Sequence, residues 1–195
     1  MTSIIFATNN QNKVDEIRKS IDNSISICTL TEAGIDIDIP EPHDTLEENA
    51  LEKAVTIQRL TNQNCFSEDT GLEVAALDNE PGVKSARYAG EEADSEKNIK
   101  KLLQNLGGNT NRKAQFRTII CLIYNKETYY FEGICKGNIL YSKKGNSGFG
   151  YDAIFVPDGS SKSFGEMDIN EKNQFSHRKK AVQKLINFLK SIETK

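Results

Sequence analysis

The sequence predicts an α/β fold in which a mixed β-sheet is flanked by helices. Predicted strands and helices alternate in the first half of the chain, and predicted strands then cluster. A chain of 195 residues is long enough for one sizeable core, which would bury about 70% of the extended-chain surface. Because no repeat, linker or low-complexity run interrupts the sequence, we expect a single domain over residues 1–195.

The first elements are a strand, a helix and a second strand. Residues 3–7 form an apolar run that predicts a buried strand. The asparagine-rich turn after it favours a helix cap, and a helix is expected over 13–21. A strand is expected over 24–30. Residues 36–42 alternate acids with isoleucines before two prolines, which predicts an extended segment rather than a helix.

The middle of the chain contains the longest predicted helix. Thr45-Leu46-Glu47-Glu48 is a capping box. After it, apolar residues recur at helical spacing: Leu46, Ala50, Ala54, Ile57 and Leu60. A brief strand at 65–68 ends at Asp69-Thr70-Gly71, and another is expected at 72–77. Residues 79–82 form a turn, and a helix over 94–106 is stopped by two glycines.

The last third is richer in strands. Strands over 116–124 and 129–135 are joined by residues 125–127 in a predicted hairpin. Residues 137–141 extend that sheet, and a loop covers 145–152. A short strand at 154–156 and a helix over 176–192 complete the prediction.

Composition restricts the partners. The chain carries 25 basic and 28 acidic residues, a net charge of −3, whereas proteins that bind duplex nucleic acid usually have a basic excess. A polyanionic ligand would therefore need local cations, amides or a metal. No signal peptide or membrane-spanning run is evident, and the four widely spaced cysteines are expected to be free thiols. We expect a cytoplasmic protein with no nucleic-acid or membrane partner.

Two candidate sites lie in the first half of the chain. The turn Thr8-Asn9-Asn10-Gln11-Asn12-Lys13 joins a strand to a helix, where unpaired amides and a lysine suit a phosphate. An ordinary cap beside a solvated lysine is the alternative. Glu68 and Asp69, together with Glu41, are candidate Mg²⁺ ligands, and one of them could accept a proton from an attacking water. Paired acids in a plain turn are the alternative.

Two more candidates lie in the second half. In Gly148-Phe149-Gly150-Tyr151-Asp152 the glycines allow close approach of a ligand, and the aromatics offer a face for a flat ring. A glycine-rich hairpin with aromatics in the core explains the pattern equally well. Lys172 could pair with phosphate, and Ser176, His177 and Arg178 cluster donors at a helix start. The alternative is a serine cap followed by a solvated charged face.

The order of these residues resembles the inosine triphosphate pyrophosphatase family, the dITP/XTP pyrophosphatases, from residue 4 to about 190. The matching residues are Thr8-x-Asn10-x-x-Lys13-x-x-Glu16, Glu41, Glu48-Asn49-Ala50, Glu68-Asp69-Thr70-Gly71-Leu72, Pro81-Gly82, Ser85-Ala86-Arg87-Tyr88, Gly148-Phe149-Gly150-Tyr151-Asp152, Glu171-Lys172 and Ser176-His177-Arg178. The chain departs from the commonest bacterial pattern at Asn9, where glycine is frequent. It also departs at Glu68 for aspartate, Thr70 for serine and Ala153 for proline.

The resemblance implies a fold, a reaction and residue roles. The fold would be a long mixed sheet in two lobes with an active cleft between them, in a homodimer. The reaction would be Mg²⁺-dependent hydrolysis of ITP, dITP and XTP to monophosphate and pyrophosphate, which cleanses the nucleotide pool. Thr8 through Lys13, with Thr70, would hold phosphates and sugar. Glu41 with Glu68 or Asp69 would hold Mg²⁺, and Asp69 would accept the proton, in a catalytic set with Lys13 and Glu68.

The same resemblance implies how the base is held. Phe149, Gly150, Tyr151 and Asp152 would frame it, while Lys172, Ser176, His177 and Arg178 would close over the purine and sugar-phosphate. Two other functions stay open: a pyrophosphatase for other modified nucleotides, and a nucleotide-binding protein without catalysis. The presence of both Glu68 and Asp69 favours an enzyme.

Overall fold

The computed structural model describes residues 2–21 and 25–193, so that Ser24, the predicted start of the second strand, lies outside them. The strands are β1 Thr2–Phe6, β2 Ile25–Thr29, β3 Cys65–Val74, β4 Pro81–Gly82, β5 Lys113–Tyr124, β6 Glu127–Ile139 and β7 Phe155–Pro157. The helices are α1 Gln11–Arg18, α2 Leu46–Thr61, α3 Ser95–Leu106, α4 Ile169–Asn173 and α5 His177–Glu193. Short 3₁₀ turns lie at Ala75–Leu77, Ser85–Arg87, Asp152–Ile154 and Phe164–Glu166.

The strands form one mixed sheet in the order β2-β1-β3-β5-β6-β7, and β4 pairs with β3. Strand β1 runs parallel to both β2 and β3. Strand β4 is antiparallel to β3, and β7 is antiparallel to β6. The predicted α/β class, a mixed sheet flanked by helices, is confirmed.

The chain folds into two compact units. Unit 1 comprises the described residues up to Asp69, then Thr118–Gly133, and those from Arg178 onward. Unit 2 comprises Thr70–Arg117 and Ile134–His177. Each has its own core. In unit 1 apolar residues of β1, β2, α1, β3, β5 and α5 pack together, and in unit 2 residues of β3, α3, β5, β6 and β7 do so.

The largest difference from prediction concerns β3. We predicted a break at Asp69-Thr70-Gly71, but one strand of 10 residues runs from Cys65 to Val74. Gly71 is needed for a close backbone approach and not for a turn, since a Cβ there would lie 2.6 Å from the carbonyl oxygen of Gly82 on β4. Glu68 and Asp69 consequently lie within a strand, where neighbouring side chains point to opposite faces.

The β5–β6 hairpin and the end of β5 at Tyr124 were predicted correctly, but β5 begins three residues earlier and β6 two residues earlier than predicted. The turn has two residues, Asn125 and Lys126, with φ of 51° and 69°, as expected for the type I′ turn that matches the twist of paired strands. Strand β6 also continues through Gly137 to Ile139, so the separate strand predicted at 137–141 is part of it.

The predicted long helices are present with small shifts. Helix α1 starts at Gln11 because the Asn10 side chain caps it by accepting from the Lys13 amide. The Thr45 cap of α2 is confirmed, but Leu60, predicted on its apolar face, is 59% exposed. Helix α4 was not predicted; Asp168 and Glu171 form its capping box.

Two further expectations can be compared with the structure. Within residues 2–21 and 25–193, no helix is both long and apolar enough to cross a membrane. The four cysteines carry free thiols, as predicted. Burial raises the pKa of the thiols of Cys65 and Cys121 to about 12, so both are protonated at neutral pH.

Candidate active site

The turn after β1 holds a lysine in an ion pair. Thr8 Oγ1 accepts from the Asn10 amide at 3.2 Å, and the Asn10 side chain accepts from the Lys13 amide at 3.2 Å. Lys13 Nζ lies 2.6 Å from Glu68 Oε1, with 15% of its side chain exposed. The predicted cap is therefore present, but the lysine beside it is not a solvated one.

The other residues of this turn have different surroundings. Asn9 Nδ2 donates to the Ile37 carbonyl at 2.8 Å, and Gln11 Nε2 donates to Asp15 Oδ1 at 2.7 Å. Asn12 is exposed in the first turn of α1. Asn9 stands where glycine is frequent in the resembled family, so this departure adds a bond that a glycine could not make.

Glu68 is buried among cations in unit 1. Arg178 Nε donates to Glu68 Oε2 at 3.0 Å and its Nη2 to Oε1 at 3.3 Å, and Arg178 also bonds Glu16. Burial alone would raise the pKa of Glu68, but the charges of Arg178 and Lys13 outweigh it and hold that pKa well below its usual range. Arg178 is 2% exposed, which rules out the solvated face offered as its alternative.

Asp69 points to a different set of partners. Lys53 Nζ lies 3.0 Å from Asp69 Oδ1 and also contacts Glu41 Oε1. Burial raises the pKa of Asp69 to about 6, against the opposing charges of Lys53 and Lys13. The pKa of Glu41 is lowered, because Lys53 more than offsets the effect of burial. A carboxyl group with this pKa can exchange a proton near neutral pH.

These residues form what we call the charged cluster of unit 1: Glu16, Glu41, Glu68, Asp69, Lys13, Lys53 and Arg178. When all are ionised, its four carboxylates face three cationic side chains, which leaves one excess negative charge. A buried excess charge favours uptake of a proton or a further cation. Glu41, Glu68 and Asp69, the three candidate Mg²⁺ ligands, all interact with Lys13.

The cluster fits a magnesium ion through two of its carboxylates. Within the described ranges, no group of three or more His, Cys, Asp or Glu residues is arranged to hold a metal. Mg²⁺ needs only one or two protein carboxylates, because it keeps several waters. Glu41 and Asp69 interact directly and offer such oxygens. Glu68 suits this role less well, since Arg178 and Lys13 bond both of its oxygens.

Unit 2 contains a buried ion pair that is simpler than the charged cluster. Lys172 Nζ lies 2.6 Å from Asp152 Oδ2, and both side chains are 5% exposed. The Phe149 amide donates to the same Asp152 oxygen at 2.9 Å. Gly148 has φ of +77°, and a Cβ there would lie 2.0 Å from Asp152 Oδ2, so only glycine fits. The Lys172 ammonium lies 5.3 Å from the ring centroids of Phe149 and Phe164.

The remaining predicted residues of unit 2 divide into buried and half-buried groups. Tyr151 is buried, and its hydroxyl donates to the Ser85 carbonyl at 2.9 Å, as the core alternative for this loop predicts. The His177 ring stacks on Phe116 with centroids 4.7 Å apart, beside the buried Ser176. The half-buried residues are Thr70, Phe149 and Gly150.

Sequence reasoning missed the roles of Lys53 and Glu16. Lys53 lies on the buried stripe of α2 with Ala50, Ala54 and Ile57. A lysine on an apolar helix face is rarely buried without a partner, and that position was the available signal. Glu16 stood in the quoted motif and falls on the buried face of α1, but it received no role.

Comparison with known proteins matches this chain over nearly its full length. The model of the Ham1 family matches residues 4–188. A dITP/XTP pyrophosphatase from Flavobacterium psychrophilum is 47% identical over 188 residues, which cover 96% of this chain and 99% of that protein. A dITP/XTP pyrophosphatase from Porphyromonas gingivalis is 48% identical over 190 residues, covering 97% and 98%. The solved structure of the Staphylococcus aureus Ham1 protein superposes with a TM-score of 0.88 at 38% identity, covering 97% of this chain and 99% of that one.

Proposed function

Because the chain belongs to the Ham1 family, we propose that it hydrolyses the deaminated purine nucleoside triphosphates ITP, dITP and XTP to the monophosphate and pyrophosphate with Mg²⁺, and thereby cleanses the nucleotide pool. The observation that carries the proposal is the charged cluster of unit 1, in which Asp69 has a raised pKa beside Lys13, Lys53 and Glu41. Relatives that carry the dITP/XTP pyrophosphatase name share nearly the whole chain.

The phosphates are assigned to the turn before α1. Helix amide groups near the N-terminus carry partial positive charge, and Lys13 adds a full charge beside them. The cluster's excess negative charge would repel a triphosphate by itself. Mg²⁺ held by Glu41 and Asp69 would neutralise phosphate charge and polarise the phosphoryl oxygens.

Asp69 is assigned as the proton acceptor. Its carboxylate takes a proton from a water whose oxygen forms a bond to the α-phosphorus, while the bond from that phosphorus to the bridging oxygen breaks and pyrophosphate leaves. Before a metal binds, a pKa of about 6 leaves the Asp69 carboxylate ionised at neutral pH and close to the range in which a general base is most effective. Lys53 fixes the Asp69 carboxyl group by its bond to Oδ1. In phosphoryl-type transfers, such positioning and electrostatic stabilisation supply most of the rate acceleration.

Recognition of the base is assigned to unit 2. A 6-oxo purine presents an acceptor where adenine presents an amino group, and a donor aimed at that position would be left unpaired by ATP. Lys172, Ser176 and His177 supply such donors, and Phe149 supplies a ring face. Arg178 was also proposed as a donor, but its bonds to Glu68 and Glu16 favour a role in holding the charged cluster.

The test is pyrophosphate release from ITP, XTP, dUTP and ATP, each with and without Mg²⁺. We expect release from ITP and XTP that requires Mg²⁺, and turnover of ATP slower by a factor of about 10² or more. Preference for dUTP would favour the alternative of a pyrophosphatase for other modified nucleotides. Tight binding of ITP without release of pyrophosphate would instead identify a nucleotide-binding protein.

A cytoplasmic homodimer is proposed on the family resemblance. Sedimentation equilibrium measures the assembly directly, since a dimer has twice the mass of the 21.8 kDa chain. A monomer at assay concentrations with full activity would show that dimerisation is not needed for hydrolysis.

A further inference from the structure

The segment that carries Glu41 has no regular secondary structure. Residues 35–42 belong to no helix or strand, and most are exposed. Yet Glu41 reaches Lys53 and interacts with Asp69. Pro40 and Pro42 restrict the backbone on either side of Glu41 by fixing φ, but they do not attach it to the rest of unit 1. Something else must hold this segment in place.

Asn49 provides that attachment. It is 2% exposed in the first turns of α2. Its Oδ1 accepts from the His43 amide at 2.9 Å, and its Nδ2 donates to the His43 carbonyl at 3.0 Å. One side-chain amide therefore satisfies both backbone groups of a residue two positions after Glu41, as a neighbouring strand would. At the other end of the segment, Asn9 bonds the Ile37 carbonyl.

The position of Asn49 couples this attachment to the charged cluster. Lys53 follows Asn49 by one helical turn, so both side chains project from the same face of α2. Helix α2 thus holds the segment twice, through the backbone of His43 and through the carboxylate of Glu41. An asparagine is a poorer helix former than alanine, and a buried amide is tolerated only when it is bonded.

Unit 2 contains a matched case. Asn98 on α3 is 3% exposed, accepts from the Ala89 amide at 2.7 Å and donates to the Ala86 carbonyl at 2.8 Å. It has the same chemistry, burial and helical setting as Asn49, but the loop that it holds carries none of the charged cluster. Asn98 therefore separates the general cost of losing a buried amide from an effect on Glu41.

We propose that Asn49 is a positioning residue that sets the metal affinity of the active site by holding the backbone beside Glu41. The proposal rests on the proposed function, in which Glu41 and Asp69 hold Mg²⁺. Without the two hydrogen bonds from Asn49 to the backbone of His43, the Glu41 segment must be ordered when the metal binds. Ordering the backbone of one residue is enough to weaken an equilibrium about tenfold.

The test compares Mn²⁺ binding, followed by electron paramagnetic resonance, with amide hydrogen exchange in the nucleotide-free protein. We expect Asn49→Ala to lose protection at the His43 amide and to bind Mn²⁺ about tenfold more weakly. Asn98→Ala should lose protection at the Ala89 amide and bind Mn²⁺ as the wild type does. His43→Ala keeps both backbone groups and should also keep wild-type affinity.

Turnover gives a second measurement. Raising Mg²⁺ should restore the kcat of Asn49→Ala, because the catalytic groups are intact, but it should not restore that of Asp69→Asn. If Asn49→Ala does not fold, Asn49→Ser offers the same comparison with a smaller perturbation and the same expected direction.

The outcomes separate this inference from the proposed function. Wild-type Mn²⁺ affinity in Asn49→Ala, with His43 protection lost, overturns the positioning role and leaves the enzyme assignment intact. A wild-type protein that neither binds Mn²⁺ nor needs Mg²⁺ overturns the metal part of the proposed function itself.

Discussion

Buried ion pairs in unit 1 and in unit 2 are built differently. The charged cluster of unit 1 gathers seven ionisable side chains with one excess negative charge, and its carboxylates share cations: Arg178 pairs with Glu16 and Glu68, and Lys53 pairs with Glu41 and Asp69. In unit 2, Asp152 and Lys172 form a balanced pair beside aromatic rings. The cluster, with its excess negative charge, can exchange a proton or bind a cation. The electrically balanced Asp152–Lys172 pair can instead form hydrogen bonds beside an aromatic surface. This difference is the basis of our proposal that bond breaking occurs in unit 1 and discrimination among bases in unit 2.

The largest expected effect comes from removing the proton acceptor. Asp69→Asn keeps the size of the side chain but removes its basicity, and kcat should fall by about 10²–10⁴, the usual contribution of a general base. Steady-state hydrolysis of ITP measures it, and nucleotide binding should persist. The control is the same substitution in unit 2, Asp152→Asn, which should change KM and the ITP-to-ATP preference more than kcat. Equal losses of kcat in both variants would contradict the division between the units.

A large loss of folding stability is expected from Arg178→Met. This change leaves Glu68 and Glu16 buried without their shared cation, and removing one partner of a buried ion pair costs about 3–5 kcal/mol. Urea denaturation of the variant measures the free energy of unfolding. Arg18→Met is the control, since the Arg18–Glu32 pair is exposed, and it should lose much less. A stable Arg178→Met protein would show that the cluster does not support the fold of unit 1.

The pH dependence of hydrolysis tests the state of Asp69. Because the pKa of Asp69 is about 6 and the base must be deprotonated, kcat/KM should fall about tenfold per pH unit below that value and level off above it. The charge of Lys53 lowers this pKa, so Lys53→Met should move the acid limb to higher pH. Lys172→Met removes an ammonium from unit 2 and should leave the limb where it is. If the acid limb of Lys53→Met stayed at the wild-type pH, the observed titration would belong to a group other than Asp69.

The sequence predicted the helices and strands better than the partners of the candidate site residues. The capping residues Asn10 and Thr45 could be identified because caps depend on local chemistry. Lys13 could be grouped with Glu41 and Asp69 only through the family resemblance, since these residues are brought together by the pairing of distant segments. The elements themselves were predicted from local periodicity.

The misassigned residues share a physical cause. Gly71 looked like a turn residue because local sequence does not show that β4 approaches it closely. The solvated face offered as the alternative for Arg178 is wrong, and local sequence could not show this because its partners, Glu16 and Glu68, are far away in the sequence. Lys53 was overlooked for the same reason. Whether a charged side chain is solvated or buried in an ion pair depends on partners that are distant in the sequence. A single sequence contains little information on those partners.

The smallest expected effect comes from the aromatic rings beside Lys172 in unit 2. Phe149 and Phe164 both lie 5.3 Å from the Lys172 ammonium, but Phe164 is fully buried and Phe149 is only half-buried. Phe149→Leu removes a ring face from the ammonium and from the proposed base, a contribution of about 0.5–1 kcal/mol. KM for ITP should therefore rise about two- to fivefold with kcat nearly unchanged.

The matched variant Phe164→Leu should show the opposite pattern, with lower thermal stability from the altered core and a KM close to that of the wild type. Kinetics and thermal unfolding of the two proteins provide the comparison. If Phe149→Leu lowered kcat and left KM unchanged, the aromatic ring would act on the reaction step. Unit 2 would then share in the chemistry that the charges of unit 1 are proposed to perform alone.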